Sequence, residues 1–199
     1  MLSRGGDWVF AQNLGHVVKF LGLQEATGPV LSPNALIERL TLFLRTALAI
    51  VPQMPDRLMT QEVPNRPRTY LALAHHLFRI PEGMLDVAAG ATLTNDMLTG
   101  GPPPGMTTAP AVAEDYGRKV LDRLLSWWEA QPDKAARGTV QTYYGPQTLH
   151  ELMERTTWHC GQHVRQWFML LGMAGISPAT TLDAAAFKDL PMPSSVWDG

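Results

Sequence analysis

The chain has 199 residues, 45% of them apolar and 17% charged, with a formal net charge of −2. That length suits one domain of ordinary size, and the apolar share is enough to bury a real core. Near-neutral charge with scattered Lys and Arg leaves no electrostatic footprint for nucleic acid, and the lone cysteine, Cys160, cannot build an internal disulfide framework.

The first ten residues, MLSRGGDWVF, lack the apolar core and small-residue cleavage site of a signal peptide. No run of eighteen or more uncharged apolar residues follows, so neither a membrane span nor a membrane partner is expected, and the cytoplasm is the default location. The stretch from Asp7 to Leu21 is expected to add a short helix. The first long helix begins in LSPNALIERLTLFLRTALAIV, where Ser32 can cap it and Pro33 suits its first position. Leu36, Leu40, Phe43, Leu44 and Ala47 recur at helical spacing and leave Glu38, Arg39 and Arg45 toward solvent. It should stop near Pro52 to Pro55.

The second segment, TYLALAHHLFRIPEGMLDVAAG, runs from Thr69 as its cap to Gly90. Pro81 lies inside it and predicts a kink or break near Arg79 and Ile80. After the Pro/Gly loop GGPPPGMTTAP, a third helix is expected from near Pro110 to Gln131. GTVQTYYGPQT, rich in β-branched and aromatic residues before a Gly-Pro turn, reads as a short extended segment. The fourth helix starts at Thr148, with Glu151 completing a capping box, and closes near Gly175 or Pro178. The tail, DLPMPSSVWDG, is too apolar at Leu190, Met192 and Trp197 to run free and should pack on the rest. Four long amphipathic segments without a βαβ repeat predict an all-α four-helix bundle, one domain over residues 1–199 with its core at about 31–176.

The chemistry lies in TWHCGQH. His159 and His163 stand four positions apart, which puts both imidazoles on one helix face, about one turn from each other. Such a pair can hold one divalent ion. The zincin helix that does so also needs a Glu directly after the first His, and here that place is Cys160, so a metalloprotease is rejected. A catalytic site takes a third protein ligand and keeps one position open. The candidates are His75 and His76 on the second helix, since His16 and His150 sit in less regular or more exposed places; the two lie about 100° apart around the axis, and periodicity does not choose between them. Cys160 points away from the ligand face and reads as inert packing, and Trp127, Trp128, Trp158, Trp167, Met169 and Met173 read as core.

YLALAHHL on the second helix, together with WHCGQHVRQWFMLLGMAGI on the last, resembles the DinB-like metalloprotein superfamily, which includes the YfiT-type bacillithiol transferases. The resemblance runs from about Leu31 to Ile176 and implies a four-helix bundle. Carried over residue by residue, it makes His76 the ligand on the second helix and His159 with His163 the pair on the last. The chain departs from that pattern at Arg68 and Thr69, where the family often has Trp-Thr, and at Cys160, Gly161 and Gln162, where several relatives carry more histidines.

Three neutral imidazoles suit Zn²⁺, with Ni²⁺, Fe²⁺ or Mn²⁺ as alternatives. A thiol taking the open position would lose its proton at neutral pH. The resemblance points the same way, to low-molecular-weight thiols such as bacillithiol or mycothiol as co-substrates. The expected function is therefore a metal-dependent thiol S-transferase or thiol-dependent isomerase, acting on a small-molecule thiol and an electrophilic substrate. Gln162 and Gln166 are candidates to orient the ligands. Tyr143 and Tyr144 could line a pocket mouth, and Arg79 and Arg165 could meet a substrate carboxylate. The alternative is a non-catalytic, metal-stabilised bundle that binds a small ligand or a partner, with Trp127 and Trp128 as a candidate homodimer face.

Overall fold

The structure, a computed structural model, describes residues 3–4, 7–8, 29–64 and 66–197. The chain is mostly helical. At the N-terminus β1 (Ser3–Arg4) and β2 (Asp7–Trp8) pair antiparallel in place of the start of the expected short helix, whose remainder lies outside the described residues. The long helices are α1 (Pro33–Ile50), α3 (Tyr70–Ala88), α5 (Arg118–Ala130) and α6 (Leu149–Met173). Two short helices not foreseen from periodicity, α2 (Asp56–Met59) and α4 (Asn95–Thr99), sit in the connections. Four or five residues are too few to display a helical repeat.

The caps do what their side chains allow. Ser32 accepts from the Ala35 amide and Thr69 from the Ala72 amide, so each satisfies one of the orphan donors at a helix start. At Thr148 the capping box is complete: its hydroxyl accepts from the Glu151 amide at 3.1 Å, and its own amide donates to the Glu151 carboxylate at 2.6 Å. Gly175, at φ +72°, turns the chain after α6 in a conformation that glycine adopts without strain.

Helix α1 packs along α6, α6 along α3, α3 along α5, and α5 back along α1. The core between them includes Leu40, Phe43, Leu44, Leu77, Phe78, Val164, Trp167 and Leu170, all with essentially no exposure. Gly161 sets the approach of α1 to α6, because a Cβ there would stand 2.9 Å from the Phe43 ring. A π-helical stretch, Ala111–Gly117, leads into α5, so the third helix covers the expected residues but opens with a wider coil.

Of the kink or break expected at Pro81, the break does not occur: α3 continues through it to Ala88. Proline removes the N–H that would bond the carbonyl four residues back, here that of Leu77. The Cys160 thiol, buried on α6, donates to this carbonyl at 3.6 Å. Cys160 therefore satisfies the acceptor that Pro81 leaves over, and burial pushes its pKa up, away from the reactive thiolate.

The stretch before α6 forms a full hairpin, with β3 (Thr139–Thr142) antiparallel to β4 (Gly145–Thr148) and Tyr143 and Tyr144 at its turn. The tail packs as foreseen: Leu190 is buried, and Met192 and Trp197 rest against the core. Among the described residues no helix is long and apolar enough to cross a membrane.

Candidate metal centre

Helix α3 is buried on nearly every side, so both of its adjacent histidines point into the protein, in different directions. The His75 ring stacks on Tyr116 at 5.0 Å between centroids, and the Tyr116 hydroxyl donates to the Glu82 carboxylate at 2.5 Å. His76 faces α6. Its ring centroid lies 5.5 Å from that of His159 and 4.9 Å from that of His163, and the last two are 4.8 Å apart. One nitrogen from each of these three imidazoles lies within 4.8 Å of the other two.

For His76 and His163 the neighbours fix which nitrogen that is. His76 Nδ1 is 2.7 Å from the Leu98 carbonyl. A carbonyl can only accept, so Nδ1 carries the proton and Nε2 keeps its lone pair. His163 Nδ1 is 2.7 Å from Gln166 Oε1. The amide orientation of Gln166 is set in turn by its Nε2, which donates to the Val196 carbonyl at 3.1 Å. His163 therefore also carries its proton on Nδ1, and its Nε2 is buried with no hydrogen-bond partner among the described residues. Buried polar atoms are rarely left so, and an unpartnered lone pair aimed at two other imidazoles fits a cation. His159 is half-buried and stacks on Trp158 at 5.4 Å.

All three rings favour the neutral form that coordinates metal. Burial holds His76 and His159 well below the usual histidine pKa, and the neighbouring His163 adds to this. Burial lowers His163 to about 4, although its bond to Gln166 acts in the opposite direction.

The cluster opens into a cavity of about 410 Å³, walled by His76, His159, His163, Arg68, Tyr143 and Trp197 among others. Of the residues expected around the site, Gln166 bonds a histidine as described, and Tyr143 reaches the cavity wall. Gln162 instead holds the tail, donating to the Ser195 and Val196 carbonyls. Tyr144 lies under the Arg155 guanidinium, 3.8 Å from its ring centroid, and does not line the cavity. Arg79 is turned away from it, donating to Glu82 at 2.5 Å, to Asp86 at 3.3 Å and to the Met97 carbonyl at 2.6 Å. Arg165 bonds Gln162 and the Pro193 carbonyl and anchors the tail. Helical periodicity did not point to Arg66, Arg68, Asn95 or the Leu98 carbonyl, which the fold brings to the cluster from outside the long helices.

No protein-family model, curated protein or solved structure matches the chain.

Proposed function

We propose that the four long helices form a four-helix bundle of the DinB-like type and that the protein is a divalent-metal-dependent enzyme, a thiol S-transferase or thiol-dependent isomerase. The observation that carries this reading is the convergence of three neutral imidazoles from α3 and α6 at the wall of a small-molecule cavity, with the Nε2 lone pairs of His76 and His163 left free. The ion, Zn²⁺ first, would supply the charge that makes a thiol acidic at neutral pH. The chain holds the rings: Leu98 fixes His76, and Val196 through Gln166 fixes His163. In the transfer, the thiol proton passes to solvent and sulfur bonds to an electrophilic carbon. The leaving group departs with its electron pair. A cavity of about 410 Å³ is of the size that takes such small reactants.

Elemental analysis of protein purified without added metal, followed by a screen of glutathione, bacillithiol and mycothiol against electrophiles, tests the reading. Bound metal and thiol-dependent loss of an electrophile are the expected results. Bound metal with no reacting thiol, and stability that falls sharply on chelation, would make the protein a non-catalytic metal-stabilised bundle instead. Gln166→Leu removes the acceptor that orients His163, and losses of this kind weaken metal binding by roughly 10–100-fold. Competition with a chelator of known affinity is expected to show that weakening, with the helical circular dichroism unchanged.

A further inference from the structure

The cavity over the histidines is electrically unbalanced. Arg66 and Arg68 line it, and among the described residues no Asp or Glu does. The ion pairs among the described residues involve Arg79 and Arg123, neither of these two. Arg68 is partly buried and lines the same cavity as His76, His159 and His163. Burial lowers its own pKa first, and Arg66 adds a second positive charge to the same space. Arg66 in turn lies 5.6 Å from the ring centroid of Trp197. A partly buried guanidinium with no ion pair among the described residues is costly, and its planar fork of donors matches a carboxylate. Filling the histidine cluster with a divalent cation would only raise the positive charge of the cavity.

We propose that the site takes a small molecule bearing a carboxylate, received by Arg68 with Arg66 beside it, while the remainder of that molecule lies over His76, His159 and His163. This names the substrate class of the site proposed above, and the placement over the histidines rests on that reading. The carboxylate belongs to the thiol or to its electrophilic partner. In either case the arginines select an acidic reactant and discriminate against its neutral isostere.

Calorimetric titration of the protein as purified, with glutarate and with 1,5-pentanediol as its uncharged counterpart, tests the proposal. Glutarate is expected to bind saturably and pentanediol not to bind. Arg68→Gln should weaken glutarate at least tenfold, and Arg68→Lys, which keeps the charge without the fork, should recover part of that loss. Absence of saturable glutarate binding, or equal binding by the parent chain and Arg68→Gln, overturns the proposal. Should Arg68→Gln fail to fold, Arg66→Glu decides: undiminished glutarate affinity in that variant is equally fatal. Metal content measured on the same samples keeps the two readings apart. His159→Ala is expected to lose metal and still bind glutarate through Arg68, whereas metal-free samples throughout would remove the metal reading and leave the glutarate result to stand alone.

Discussion

On the proposed reading, His159→Ala purified without added metal is expected to carry less than about a tenth of the divalent ion found in the parent chain, because one of the three proposed protein ligands is gone. Its helical circular dichroism should persist, since His159 is half-buried at a cavity wall and its loss opens no hole in the core. Thermal stability separates the two proteins further. An ion present at a thousand times its Kd stabilises the folded state by about 4 kcal/mol. For a chain of this size that corresponds to a Tm roughly 8–16 °C higher. The parent is therefore expected to lose that margin on chelation, and His159→Ala to begin without it and respond little. Equal metal content in the two proteins would show that the histidines do not hold the ion. His163 contributes in a second way: its buried Nε2 has no hydrogen-bond partner among the described residues, and a buried polar atom left unpaired costs about 1–3 kcal/mol.

Gly161→Val tests the packing beneath the site. The glycine lies between the two histidines of α6, and a Cβ there would approach carbons of the Phe43 ring at 2.9 and 3.0 Å. The ring is fully buried and stacks on Phe187 at 5.3 Å, which limits its room to move. Overpacking of this kind costs about 1–3 kcal/mol. Valine is the informative choice, because alanine would regain up to roughly 1 kcal/mol in helix propensity and mask part of the clash. Chemical denaturation is expected to show the loss, and metal affinity should fall with it as α6 shifts against α1. A Gly161→Val protein of parental stability would mean that the helices do not approach as closely as described.

The long helices were legible because caps and apolar spacing agree at Ser32, Thr69 and Thr148. The His159/His163 pair was legible for the same reason, as a spacing on one helix. The third ligand was harder. Helix α3 is apolar nearly all round, so no polar face marks which of His75 and His76 looks toward α6; the resemblance selected His76, and the fold brings that residue to the pair. Arg66 and Arg68 lie in an irregular segment ahead of the Thr69 cap, where no periodicity operates, and only tertiary folding carries them to the histidines. Of the kink or break expected at Pro81 the break does not occur, and the carbonyl that the proline leaves over is met from a distant helix, by the Cys160 thiol. The orienting group for His76 is a backbone carbonyl, which any residue at position 98 would supply.

Gln166 ties the histidine cluster directly to the last stretch of described chain, which Gln162 and Arg165 of the same helix also hold. One end of its amide holds the Nδ1 proton of His163, and the other grips the carbonyl of Val196 in the final stretch of chain. On the proposed reading, docking of that stretch and filling of the histidine cluster are two equilibria sharing one side chain. Thermodynamic reciprocity then requires that whatever factor a seated C-terminal strap adds to cation affinity, a bound cation returns to the seating of the strap.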